Sequence, residues 1–186
     1  MPKLIVLTGG PGAGKTAVLD MAKRMFLDRV ALLHEAASMI YGGGFLRRST
    51  PNGIRAAQRA IYHVQREQER VLEEDGLTKV GLCDRGTLDG LAYWPEPQEN
   101  FFKELNTTRE AEFARYTAVI HMRTPNDEFG YNNDNPARIE NSKEAAMLDR
   151  KMLDIWKGHP NHFIVDSRHD FLHKAEEVID IIKRFI

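Results

Sequence analysis

Gly9-Gly10-Pro11-Gly12-Ala13-Gly14-Lys15-Thr16 is the stretch that decides the fold of this chain. It matches G-x-x-x-x-G-K-[ST] at every fixed position, the pattern of a phosphate-binding loop. Its glycines allow a tight turn whose backbone N–H groups converge on an anion. A helix beginning near Gly14 adds the positive end of its dipole. The Lys15 ammonium is placed to reach β- and γ-phosphates, and the Thr16 hydroxyl to ligate Mg²⁺. The flanking sequence favours this over an ordinary glycine-rich turn or a degenerate loop. Upstream, Leu4-Ile5-Val6-Leu7 reads as a strand buried on both faces. Downstream, Val18, Leu19, Ala22, Met25 and Phe26 stripe one side of a helix over 14–28. The expected donor-binding residues are Gly9, Gly10, Pro11, Gly12, Ala13, Gly14, Lys15, Thr16 and Ala17. ATP is the expected donor, with GTP as the alternative, and Mg²⁺ the cofactor.

Outward from the loop, apolar runs at 30–33, 80–83, 118–122 and 163–165 predict further strands. Helical segments are predicted at 35–41, 51–74, 87–93, 98–105, 108–116, 139–157 and 170–185. Pro51 suits a helix start, and Gly76 lies just past that helix's end. Strands alternating with helices imply a parallel sheet covered on both faces. The expected architecture is α/β, a three-layer P-loop fold in one domain over 1–186. Residues 124–137 are polar and rich in Asn and Pro, so a mobile lid is expected over 124–140.

Composition narrows the function classes. At roughly 150 residues per domain, 186 residues make one domain. With 26 Lys+Arg against 27 Asp+Glu the formal charge is −1, which argues against a nucleic-acid coat. Cys83 is the only cysteine, so neither an internal disulfide nor a cysteine zinc site can form. The first apolar run, 4–7, is too short for a signal-peptide core or a membrane span. A cytoplasmic, soluble protein is therefore expected.

Several side chains are candidates for chemistry. P-loop enzymes place an acid at the end of a neighbouring strand, near the metal. Asp84 closes such a strand; the alternative is that it caps the next helix. Arg85 could clamp an anion beside the γ-phosphate, or ion-pair with Asp84 or Glu35. Glu35 follows the second apolar run, where ligands bind in open parallel sheets, and could accept a hydroxyl proton. Otherwise it is a surface residue in the first turn of a helix. Thr87 and Asp89 could touch an acceptor, with a cap at Thr87 as the plainer alternative. Trp94, Trp156, His159 and His162 read as structural, and Phe129 and Tyr131 as base-stacking or loop-anchoring residues. No acid occurs from Ala36 to Arg66, yet Arg47, Arg48, Arg55, Arg59 and Arg66 do. That field fits an anionic acceptor, or else is a solvated basic face.

Taken in order, the phosphate loop, His34-Glu35-Ala36-Ala37, Asp84-Arg85-Gly86 and Ala137-Arg138-Ile139-Glu140 resemble the small nucleoside- and nucleotide-kinase branch of P-loop proteins. The closest likeness is to the AAA-type ATPase or kinase-like domain family, itself similar to nicotinamide-riboside and deoxynucleoside kinases. The resemblance implies that Glu35 deprotonates an acceptor hydroxyl, Asp84 serves the metal and Arg85 contacts the acceptor. It also implies that Arg138 is a lid arginine closing over the transferring phosphate. Gly86 departs from the Ser of many deoxynucleoside kinases. The expected activity is transfer of the γ-phosphoryl group to a small nucleoside-like or anionic acceptor. A nucleotide-binding regulatory or interaction module with little or no transfer is the alternative.

Overall fold

The computed structural model describes residues 1–95, 97–125, 142–167 and 170–186. Its strands are β1 (Lys3–Thr8), β2 (Val30–Leu33), β3 (Val80–Asp84), β4 (Tyr116–Met122) and β5 (His162–Val165). Its helices are α1 (Lys15–Phe26), α2 (Ala36–Gly42), α3 (Pro51–Asp75), α4 (Glu99–Leu105), α5 (Arg109–Arg115), α6 (Ser142–Trp156) and α7 (Phe171–Lys183). All strand pairs are parallel, and the sheet order is β2-β3-β1-β4-β5. The chain is thus α/β and three-layered, as the alternation of elements predicts.

Side-chain alternation along β1 builds both cores. Ile5 and Leu7 face one way, into a cluster with Val18, Leu19 and Ala22 of α1 and Ala175, Val178 and Ile182 of α7. Leu4 and Val6 face the other way, toward Tyr62 and Leu72 of α3, Phe101 of α4 and Met152 and Trp156 of α6. Each fully buried Leu or Ile contributes about 1.5–3 kcal/mol relative to exposure. Caps set several helix boundaries. The Thr50 hydroxyl accepts from the Gly53 N–H, and Asp170 accepts from the N–H groups of Leu172 and His173. At its far end α3 stops on Gly76, which takes the left-handed conformation.

Two boundaries differ from the sequence reading. The expected helix over 87–93 is a 3₁₀ segment, Thr87–Ala92. Leu88 and Leu91, three apart, are both buried, and three-residue spacing stacks side chains in a 3₁₀ turn. The expected helix over 108–116 ends at Arg115, because Tyr116 begins β4 with its ring buried. The expected lid over 124–140, with Phe129 and Tyr131, lies outside the described residues from 126 onward.

β2 is an edge strand. The Val30 carbonyl accepts from Lys23 Nζ (2.8 Å), and the carbonyl of His34, one residue past the strand, from Gln68 Nε2 (3.1 Å). A groove of about 590 Å³, lined by Leu32, Val64 and Val71 among others, runs along this edge away from the phosphate loop. No helix among the described residues is long and apolar enough to cross a membrane.

Candidate functional site

Three central strands, β3, β1 and β4, deliver the site at their carboxyl ends, where open parallel sheets place ligands. The loop between β1 and α1 starts at Gly9, whose φ of 128° and position admit only glycine. A Cβ there would lie 2.1 Å from the Met122 carbonyl oxygen. The loop ends on Gly14, also left-handed, which turns the chain into α1.

Lys15 folds back along the loop. Its Nζ donates to the carbonyls of Gly9 (2.9 Å) and Gly10 (3.0 Å) and is almost wholly buried. Burial, with Arg85 adding repulsion, pulls its ammonium down to about 7, against the attraction of Asp84, Glu35 and Asp89. A triphosphate bound here would restore the charge. Binding of Mg·ATP at pH 8 is therefore expected to take up about one proton, and affinity to fall as pH rises above 7. Calorimetry in two buffers of different ionisation enthalpy measures this directly. A binding heat independent of buffer would contradict it.

The Thr16 hydroxyl, one residue on, donates to Asp84 Oδ2 at 2.8 Å. The 3₁₀ turn after β3 starts at Thr87 with Gly86 in the capping position, so Asp84 caps no helix. Burial pushes the Asp84 carboxyl up, while Lys15, Arg85 and the Thr16 hydroxyl pull it back. A hydroxyl and a carboxylate juxtaposed at the head of α1 are the donor set a nucleotide-borne Mg²⁺ takes. Among the described residues no three His, Cys, Asp or Glu side chains form a metal site of their own.

Arg85 has φ 78°, the left-handed region, which is uncommon for a side chain of its size. Its backbone N–H donates to Leu7 O (3.0 Å), tying the turn to β1. The guanidinium points back over the phosphate loop. Nε donates to Glu35 Oε1 (2.5 Å), and Nη1 lies 3.4 Å from Gly9 O and 3.6 Å from Asp89 Oδ2. Its ion pairs are thus with Glu35 and Asp89, and none is recorded with Asp84. Glu35 is the residue that leads into α2, and its other oxygen accepts from the Ser38 hydroxyl. Burial raises the Glu35 carboxyl, but Arg85 and Ser38 outweigh it and hold it below its ordinary range.

Asp89, which the sequence allowed as an acceptor contact, stands inside the protein among side-chain partners. It is buried, accepts from Thr8 Oγ1 (2.7 Å) and from Trp156 Nε1 (2.6 Å), and orients Arg85. Thr87 is not the cap, a place Gly86 takes; its hydroxyl donates to Glu112 Oε2 (2.6 Å) and its N–H to Tyr116 OH (3.0 Å). Trp156, read as packing alone, carries that hydrogen bond to Asp89 as well. Its ring also explains Gly86, where a Cβ would lie 2.6 Å from Trp156 Cζ2.

A second polar cluster stands behind the loop. Asp149 of α6 accepts from Gly10 N (3.2 Å), His121 Nε2 (2.9 Å), Arg123 Nε (2.6 Å) and Thr124 N (3.3 Å). Lys174 Nζ donates to Ala13 O (3.0 Å) and to Arg123 O, and Thr124 Oγ1 to Pro11 O (3.2 Å). Sequence reading missed all of these. The one available signal was an acid at 149 on the apolar stripe of its helix, four residues past Ala145 and three before Met152. Arg138 lies outside the described residues.

Comparison with known proteins bears on the family and the fold. A family model described as an AAA domain matches residues 4–174. No curated protein matches the sequence. Among solved structures, thymidylate kinase from Ehrlichia chaffeensis superposes with a TM-score of 0.65 at 14% identity, covering 97% of this chain and 98% of that one. Deoxyadenosine kinase from M. mycoides, with bound dATP, gives 0.69 at 12% identity, covering 97% and 99%. NadR protein in complex with NAD and AMP-PNP gives 0.66 at 13% identity, covering 99% of this chain but 49% of that chain. At such identities the likeness is one of fold, that of P-loop kinases.

Proposed function

From the premise that this chain belongs to the AAA domain family, we propose that it is an ATP- and Mg²⁺-dependent kinase acting on a small nucleoside-like or anionic acceptor. One observation carries the reading. A carboxylate and a guanidinium, Glu35 and Arg85, sit joined at the mouth of the phosphate loop, with Arg85 Nη1 3.4 Å from Gly9 O. A module that only binds nucleotide has no use for that pair beside its loop.

The chemistry follows from placement. The amides of Gly12 to Thr16 and the Lys15 ammonium would cradle the β- and γ-phosphates. Thr16 and Asp84 are the residues that would hold Mg²⁺, which supplies charge neutralisation across the phosphate oxygens. Glu35 would accept a hydrogen bond from the acceptor hydroxyl and take its proton as the new O–P bond forms. The bond from the γ-phosphorus to the bridging oxygen breaks, and ADP leaves with that electron pair. Because Glu35 is held below its ordinary range, it is ionised at neutral pH, so it can both orient the hydroxyl and take its proton. Arg85 would balance the charge that builds on the transferring group. Incubation with labelled ATP, Mg²⁺ and a metabolite mixture tests the reading. Acceptor-dependent transfer is expected, whereas binding without transfer would favour the regulatory module.

The basic tract supports an anionic acceptor more narrowly than its sequence suggests. Arg59 and Arg66 are paired with Glu104 and Glu69. Arg47 lies 4.3 Å over the Tyr41 ring, Arg55 bonds Asn52, and Arg48 packs against Gly53. None of these three has an acidic partner among the described residues. Tyr41 is six residues along α2 from Glu35, about 9 Å of helix at 1.5 Å per residue. Arg47→Ala, Arg48→Ala and Arg55→Ala are each expected to weaken acceptor affinity several-fold at low salt, with the effect shrinking at high salt. Unchanged affinity and salt dependence in all three would remove the anionic acceptor.

A further inference from the structure

α6 touches both the phosphate loop and the Arg85 side of the site. Asp149, Met152 and Trp156 stand at i, i+3 and i+7, a spacing that aligns side chains along one side of a helix. Asp149 receives the Gly10 N–H of the phosphate loop at 3.2 Å. Met152 Sδ lies 3.5 Å from Arg85 Nη1. Trp156 Nε1 donates at 2.6 Å to Asp89, whose other oxygen lies 3.6 Å from the same Arg85 nitrogen. The donor loop and the arginine beside the acceptor carboxylate are thus fastened to one rigid element.

The attachment at the loop end is strong. The Asp149 carboxylate is nearly wholly buried and accepts four donors, two of them from His121 and Arg123 of the β4 end. A buried carboxylate so satisfied cannot release one donor without leaving charge unpaired, so it moves with its partners. At the other end, Trp156 is stacked on Phe113, with ring centroids 5.7 Å apart, and is fully buried. A change at Gly10 is therefore passed along α6 as a displacement of the helix rather than absorbed by a loose side chain.

We infer that α6 couples donor binding to the placement of Arg85, with Asp149 as the positioning residue at its loop end. This rests on the reading of residues 9–16 as a nucleotide site. Coupling of this kind is reciprocal, so whatever fixes Arg85 through Asp89 and Trp156 also shapes the loop for the donor.

The chain has two tryptophans, and Trp94 packs on Phe101 away from the site. In a Trp94→Phe parent, Trp156 alone reports on the far end of α6. A non-hydrolysable ATP analogue with Mg²⁺ is titrated into this parent and followed by calorimetry and by tryptophan emission in parallel. The emission is expected to change along the same isotherm as the heat. Asp149→Asn in that parent is expected to weaken the analogue at least tenfold and to remove the emission change at saturation, with the melting temperature lowered by the loss of the buried charge pair and the titration run below it. Asp149→Glu, which keeps the charge, regains most of both. Heat of binding with flat emission in the parent overturns the coupling, and so does an Asp149→Asn variant that behaves as the parent does. Should Asp149→Asn not fold, the two isotherms of the parent still decide. No heat of binding in the parent would instead remove the nucleotide site itself, and the coupling with it.

Discussion

Lys15→Ala is expected to weaken Mg·ATP binding about 100-fold or more, roughly 2.7 kcal/mol, while the fold survives. The charged hydrogen bonds from this ammonium to phosphate oxygens are each worth about 1.5–3 kcal/mol, and no other described side chain can replace them. Among the described residues the remaining lysine near the loop is Lys174, which is engaged with Ala13 O and Arg123 O on α7. Survival of the fold follows from the position of Lys15. Its ammonium is buried and pulled down to about 7, so the folded chain gains little by holding the charge there. Removing it leaves the buried Gly9 and Gly10 carbonyls without that donor, a cost of about 1–3 kcal/mol that lowers the melting temperature without unfolding the chain. Calorimetry gives the affinity and a thermal melt gives the stability. Wild-type affinity in Lys15→Ala would end the assignment of this loop to phosphate.

Glu35→Gln should separate binding from transfer. Donor affinity is expected to stay within about twofold of wild type, because none of the recorded bonds of Glu35 goes to the phosphate loop. The transfer rate is expected to fall about 100-fold or more, the ordinary contribution of a general base. Glutamine keeps the shape and an acceptor oxygen for Ser38 or Arg85, but it cannot take a proton. Arg85 retains Asp89 at 3.6 Å, so its guanidinium keeps one anchor in the variant. The pH profile carries a second signature. Arg85 and Ser38 outweigh burial and hold the Glu35 carboxyl below 4.5, so it stays ionised through the ordinary carboxylate range. Activity limited by this group is lost only as pH falls below that value. An acid limb near pH 6, or a normal rate in Glu35→Gln, would remove Glu35 from the base role.

Several features were legible in the residues because they depend on neighbours in the chain. The phosphate loop is a local object: eight residues whose conformational needs are met by glycine, flanked by a strand and a helix with clear periodicities. The strands near 80–83 and 118–122 were visible because a strand buried on both faces is apolar nearly throughout, and those near 30–33 and 163–165 as short apolar runs between turn signals, although as edge strands they are only partly buried. The ends of α3 were visible where Pro51 and Gly76 mark them.

Other features depend on residues far apart in sequence, and there local reading left alternatives open. Asp84 as cap or metal acid could not be separated until the chain placed Thr16 against it across 68 positions. Arg85 was open among Glu35, Asp84 and an anion, and the left-handed turn that aims it toward Glu35 has no sequence signal in an arginine. Asp89 read as a possible acceptor contact and Trp156 as a packing ring, yet they form one buried hydrogen bond across 67 positions.

By itself, then, the sequence determined the fold class, the phosphate loop and the order of the elements, since periodicity and glycine geometry act over a few residues. Tertiary structure alone decided which polar groups face one another. Whether a buried carboxylate such as Asp89 or Asp149 serves chemistry or scaffolding depends on donors that distant strands and helices bring within 3 Å or so. Nothing in the residues adjacent to either one encodes that meeting.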